Sequence, residues 1–189
     1  MRMARLIAAA LLAGAATTVQ AAGVEAYLSN KTAQLTFTGD ASGIGLPGAE
    51  MSFGLFYGDD KDYMGSFGLH AAGTPAGDMP LTFGLGGRIY VGSTDRPDQN
   101  FQALALGGEV RYTIPANMPM AIAADIHFAP SVTSFGDADQ LVDVGVRYEL
   151  EVTPGVSGFL GYRELTLDLD RDSSYKVDKH VHFGVRFRF

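Results

Sequence analysis

The feature that most constrains this chain is a two-residue alternation of apolar with polar or small side chains, sustained over segments of about ten residues and broken by clusters of Pro, Asp, Asn and Gly. Successive side chains of an extended strand point to opposite faces, so each such segment reads as a strand with one apolar face. In Leu141 to Val152, Val142, Val144, Val146, Tyr148, Leu150 and Val152 take one face. Asp143, Gly145, Arg147, Glu149 and Glu151 take the other. Val181 to Phe189 repeats the split against His180, His182, Gly184, Arg186 and Arg188, and the segments Leu81 to Gly92, Leu104 to Ile114 and Met120 to Ala129 follow suit. Few helical candidates survive this pattern.

One segment is different in kind. Arg2 and Arg5 precede an uncharged apolar run from Leu6 to Ala16, followed by Thr17, Thr18 and the small-residue stretch Val19 to Ala22. This is the pattern of a secretory signal peptide, and the run is well short of the roughly 20 residues that span a bilayer as a helix. The expected organisation is a cleaved signal at 1–21 and a single domain at 22–189. No second long apolar stretch follows, so no transmembrane helix is expected.

Alternation by itself fits a soluble sandwich as well as a membrane barrel. Three features favour the barrel. The polar faces are rich in Gly and Ala beside isolated charges, as a narrow lumen requires. The export signal carries the chain across the inner membrane. Finally, the chain ends on an aromatic-alternating strand, where Phe187 and Phe189 fit the C-terminal assembly signal read by the barrel assembly machinery of bacterial outer membranes. The expected fold is therefore all-β, a transmembrane up-and-down antiparallel barrel of about ten strands. The first two, near Val24 to Leu28 and Thr32 to Thr38, are short enough to keep eight as an alternative. An even count returns both termini to the periplasm. Short Pro-containing turns at Thr74 to Pro80, Pro115 to Pro119 and Thr153 to Gly155 then lie on that side. The longer, acidic segments Thr94 to Asn100, Pro130 to Gln140 and Asp170 to Lys176 lie outside, with the Asp59-Asp60-Lys61 turn. Tyr57, Tyr63, Tyr112 and Tyr148 are expected at the rims.

Inside, the clean strands contribute Arg88, Arg111, Arg147, Arg186 and Arg188 against Glu109, Asp125, Asp143, Glu149 and Glu151. Five charges of each sign imply mutual pairing and a closed lumen, since an ion-selective pore would show an excess of one sign. Gly161 to Leu165 resists the pattern, because Tyr162 and Leu165 both read as lipid-facing. A β-bulge at Arg163-Glu164 is expected to keep both charges inside.

Composition narrows the function. Without cysteine the chain has no thiol nucleophile, disulfide or Cys-ligated metal. Its formal charge of −7 and its 14 Lys and Arg argue against nucleic acid. No Gly-x-Ser-x-Gly elbow accompanies the four histidines, so no catalytic residue is assigned. His180 and His182 share a strand face, His127 lies beside Asp125, and His70 faces inward among small residues. All four read as lumen polar groups, and neither a metal site nor a cofactor is expected. The expected surroundings are outer-membrane lipid, including lipopolysaccharide, in a Gram-negative envelope.

The run Gly54 to Asp62, Phe67-Gly68-Leu69, Gly84-Leu85-Gly86-Gly87, Gly161-Tyr162-Arg163 and the terminal Gly184 to Phe189 resemble the YfaZ family of proteobacterial outer-membrane proteins. Glu164 departs from the aromatic more typical at its position. The resemblance implies an outer-membrane location and a small barrel, and it supplies no catalytic or binding residues. Two functional classes stay open: a structural barrel acting through its acidic surface loops, and a narrow channel for ions or small solutes. A lipid-modifying enzyme is the reserve.

Overall fold

The computed structural model describes residues 21–74, 79–95, 98–116, 118–169 and 173–189. Apart from Ala21, the expected signal segment lies outside them, as do Asp170 and Asp172 of the expected outer loops. The strands are β1 (Ala21–Leu28), β2 (Thr32–Asp40), β3 (Ala49–Gly58), β4 (Tyr63–Gly73), β5 (Leu81–Asp95), β6 (Asp98–Ile114), β7 (Met120–Ala129), β8 (Ser134–Gly136), β9 (Ala138–Thr153), β10 (Val156–Leu169) and β11 (Ser173–Arg188). All pairings are antiparallel. From β1 to β7 each strand pairs with the next, β7 pairs with β9, and β1 pairs with β11 from Gly23↔Arg188 to Leu28↔Phe183, which closes the ring. The three-residue β8 is no stave of its own: β7 covers Leu106 to Ile114 of β6, and β8 continues along Phe101 to Ala103 after Pro130 and a 3-10 turn at Ser131–Thr133. Ten staves form the barrel. The eight-strand alternative fails because β1 and β2, only 8 and 9 residues long, carry the closure.

The first and last described residues, Ala21 and Phe189, lie at one end, here the terminal end; the other is the distal end. Around the middle the apolar side chains point outward: Leu85 and Leu106 are 75% and 71% exposed, with Ile126, Val146, Leu160 and Phe183 on the same surface. An apolar belt of that extent is unstable in water and stable in lipid, which makes it the membrane-facing band. Tyr57 and Tyr63 pair across β3 and β4 at the distal rim. Tyr112 and Tyr148 face outward toward the terminal ends of β6 and β9. At the β9–β10 turn Pro154 precedes Gly155 (φ 80°), and positive φ there suits glycine.

Beyond the band the alternation inverts. On β10 the outward residues pass from Leu160 and Tyr162 to Glu164, Thr166 and Asp168, while the inward ones pass from Gly161 and Arg163 to the buried Leu165, Leu167 and Leu169. A polar outside around an apolar inside is the arrangement of a water-soluble barrel, so the distal part stands clear of the lipid. The expected bulge at Arg163-Glu164 is absent, and the pairing with β9 runs unbroken through Arg163↔Gly145, Glu164↔Val144 and Leu165↔Asp143. The irregularity falls on the partner strand instead. Leu165 pairs Asp178 and Thr166 pairs Lys176, so Val177 is the extra residue and is buried together with Asp178. Leu165 faces inward because an apolar cluster receives it. Glu164 stays outside, where Lys176 (2.6 Å), Lys179 (3.7 Å) and the Tyr162 hydroxyl (3.1 Å) partner it.

The same inversion overturns the expectation of long outer loops. β5 ends at Asp95 and β6 starts at Asp98, while β10 ends at Leu169 and β11 starts at Ser173. The hairpin arms continue as hydrogen-bonded ladder through segments read as loops, because an amphipathic hairpin with its apolar face inward is as stable in water as its inverse is in lipid.

Candidate functional site: the lumen

Three layers fill the barrel. The distal layer is apolar: Tyr90, Leu141, Leu165 and Leu167 have 0% exposure and pack with Phe56, Met64, Phe101 and Val177. Burying each large apolar side chain contributes roughly 1.5–3 kcal/mol, so this plug also anchors the distal hairpins. Leu141 shares the parity of Asp143, and Phe101 that of Glu109. Apolar residues on the polar parity near the distal strand ends were the signal for the plug in the sequence.

Below it lies a layer centred on Asp143. Arg163 reaches from β10 and grips Asp143 with two hydrogen bonds, Nε to Oδ1 at 2.8 Å and Nη2 to Oδ2 at 2.7 Å. Tyr90 donates its hydroxyl to Oδ2 at 2.7 Å, and Arg88 stands 3.7 Å away. Arg163 Nη1 also donates to the Tyr27 hydroxyl (3.0 Å) and to Gln34 Oε1 (2.8 Å); Tyr27 in turn donates to Asp178 at 2.8 Å. The chain of donors starts from one guanidinium and crosses from β10 to β1, β2 and β11.

The third layer, nearer the terminal end, is built on Glu25 and Glu149. Arg186 donates to Glu25 through Nε at 2.8 Å and through Nη2, and Arg147 Nη1 lies 3.3 Å from the same carboxylate. Glu149 forms ion pairs with Arg147 (Nε at 2.7 Å), Arg186 (Nη1 at 3.3 Å) and Arg111. Arg147 also lies over the Phe159 ring, 5.7 Å from its centroid.

Of the ten charges expected inside, Arg88, Arg111, Arg147, Arg186, Asp143 and Glu149 enter these layers. Glu151 instead accepts the Gly155 N–H at 3.3 Å and holds a turn, Asp125 sits 3.8 Å from His127 Nδ1, and Glu109 and Arg188 form no ion pair among the described residues. Sequence reasoning missed Glu25 and Asp178 as partners. β1 is too short to show a convincing alternation, and the bulge that turns Asp178 inward has no local signature. His180 Nδ1 is 2.9 Å from Asp178, whereas His182 stacks on Tyr27 with 4.4 Å between centroids, so these two histidines do not converge.

A polar cavity of about 470 Å³ extends from the Asp143 layer, past His70, Glu109, Asp125 and Arg147, to Asp40, Gly48 and Glu50 at the terminal rim. At the opposite tip Asp62 accepts the Tyr175 hydroxyl at 2.6 Å and the Asp95 N–H at 3.1 Å, tying the β3–β4 turn to β5 and β11. Burial pushes its carboxyl above the ordinary range. Asp59 pairs with Lys31 at 3.5 Å, and Asp137 accepts the Asn100 N–H at 2.8 Å. Several acids of the distal turns thus serve the fold.

A family model described as YfaZ precursor matches residues 1–189. No curated protein matches the chain. Among solved structures, a bacterial polysaccharide outer membrane secretin is 12% identical over 84% of this chain and 56% of its own, with a TM-score of 0.48. The outer membrane channel DcaP of Acinetobacter baumannii is 10% identical over 87% of this chain and 54% of its own (TM-score 0.40). The KdgM porin in complex with disordered oligogalacturonate is 9% identical over 88% of this chain and 98% of its own (TM-score 0.48). The chain spans little more than half the length of the first two.

Proposed function

This chain belongs to the YfaZ family, and we propose that it is a non-enzymatic, non-conducting barrel of the Gram-negative outer membrane. Its lumen is a polar chamber open to the periplasm and sealed from the outside. The observation that carries this reading is the apolar distal layer, in which Tyr90, Leu141, Leu165 and Leu167 are wholly buried. An ion entering from outside would have to shed its hydration shell against side chains that offer no replacement ligands. Below the plug, the Arg163–Asp143 pair and the Glu25–Glu149 cluster bind the walls to one another. The terminal end then faces the periplasm, with Phe187 near the end of the last strand and Phe189 just past it exposed to the barrel assembly machinery. The distal hairpins, with Glu164, Lys176 and Lys179 on their outer faces, meet lipopolysaccharide and other surface partners. Planar-bilayer recordings of purified protein test the proposal: no stable open state is expected at neutral pH. Reproducible, saturable flux of ions or sugars through the wild-type barrel would replace it with the channel reading.

A further inference from the structure

His70, Gly86, Gly107 and His127 form one row across four adjacent strands. His70 pairs Gly86 between β4 and β5, Gly86 pairs Gly107 between β5 and β6, and Gly107 pairs His127 between β6 and β7. All four positions face the lumen. The two central glycines leave the wall bare, and the flanking imidazoles lean over it toward each other. A Cβ on Gly86 would lie 2.7 Å from His70 Cδ2, and one on Gly107 would lie 2.6 Å from His127 Cδ2. The rings meet edge to face, with Nε2 of one 3.0 Å from Nε2 of the other.

We propose that this pair binds a single imidazole-preferring transition-metal ion, of the zinc, copper or nickel class, within the chamber. A cation about 2.0–2.1 Å from both Nε2 atoms would subtend an angle of about 95° at their 3.0 Å separation, between the square and the tetrahedral values. The second observation is at the far side of the buried ring. His127 is 1% exposed and its Nδ1 has no hydrogen-bond partner, yet Asp125 Oδ2 stands 3.8 Å away. A carboxylate on that side favours the proton on Nδ1, which presents the Nε2 lone pair toward His70. Carboxylate, imidazole and metal in that order is the usual way a ligating histidine is oriented.

The chamber wall carries charges of both signs. Arg88 stands 3.7 Å from Asp143, and Glu50 and Glu109, which line the chamber, form no ion pair among the described residues and are free to offset an added cation. His70 lines the chamber itself, so an ion arriving through the terminal rim meets its ring directly. No group of three or more His, Cys, Asp or Glu side chains among the described residues could hold a metal. The ion therefore has two protein ligands with water in its remaining positions, an open site of the kind that accepts a further ligand. The sequence reading expected no metal because it weighed each histidine by its own strand. Register across four strands brings these two together.

The test is calorimetric titration of Zn2+ into the folded, tag-free barrel in detergent, with X-ray absorption at the zinc edge on the loaded wild type. One ion per barrel is expected, with two imidazole nitrogens at about 2.0–2.1 Å. Affinity should fall at least about tenfold in His70→Ala and His127→Ala and by about tenfold in Asp125→Asn, and hold in His182→Gln. A heat-shift gel establishes that each variant is folded, and the absorption spectrum needs no variant. Absence of a stoichiometric ion, a shell without two imidazoles, or binding that survives His70→Ala in a folded barrel overturns the proposal. Each of these results is independent of whether the lumen conducts.

Discussion

Arg163→Met removes the guanidinium from the Asp143 layer and keeps most of the side chain's volume. Asp143 has 1% and Arg163 9% side-chain exposure, so the pair is largely hidden from water and the carboxylate recovers only part of its lost donors from the chamber it borders. Breaking a buried pair by removing one partner typically costs 3–5 kcal/mol. Here Asp143 keeps the Tyr90 hydroxyl at 2.7 Å and has Arg88 at 3.7 Å, which places the expected loss near the bottom of that range, about 3 kcal/mol. Tyr27 and Gln34 lose a donor at the same time, so the damage reaches β1 and β2, where the ring closes. Asp143→Asn should be destabilising as well, and the double variant should be less destabilised than the sum by at least about 1.5 kcal/mol, since the two changes remove the same interaction. The chain has no Trp, so the assay is urea unfolding in lipid vesicles followed by far-ultraviolet circular dichroism, with the heat-shift gel as a second probe. A loss under about 0.5 kcal/mol for Arg163→Met, or strict additivity in the cycle, would refute a pair that binds the strands together.

Opening the plug with the pair Leu165→Ala and Leu167→Ala should cost about 2–5 kcal/mol per site and give intermittent conductance where the wild type has none, measured in planar bilayers. Arg at Val146, which is outward and 47% exposed, should impair membrane insertion by about 2–4 kcal/mol, whereas Arg at the inward Gly145 tests only lumen space; liposome-insertion yields compare them. Glu164→Ala should leave the urea unfolding midpoint nearly unchanged, because its lysine partners are solvent-exposed. The carboxyl of Asp62 is raised by burial, so the folded barrel holds that proton more tightly than the unfolded chain. Stability contributed there is full at low pH and declines as pH rises from the ordinary aspartate range through the raised value. Unfolding midpoints of wild type and Asp62→Asn between pH 3 and 7 should therefore diverge in favour of the variant as pH increases.

Some of this architecture was present in residue order alone. The alternation in Leu141 to Val152 and Val181 to Phe189 assigns faces because the side-chain period of a strand is fixed by its geometry. The turn residues divided the staves for the same local reason. Ten strands, antiparallel order and the tyrosine rims follow from such neighbourhood rules. What tertiary structure decided depends on residues far apart in sequence but adjacent in the ring. Leu165 faces inward only because Leu141 and Phe101 stand there to meet it. The bulge sits at Val177 because β11, not β10, absorbs the change of parity between lipid and water. Glu25 became the hub of a cluster once closure set β1 beside β11, and His70 met His127 across two glycines that no linear pattern connects. Periodicity states which way a side chain points; ring closure and register state what it finds there, and in a walled lumen that determines whether a charge is paired, one end is plugged or two imidazoles converge.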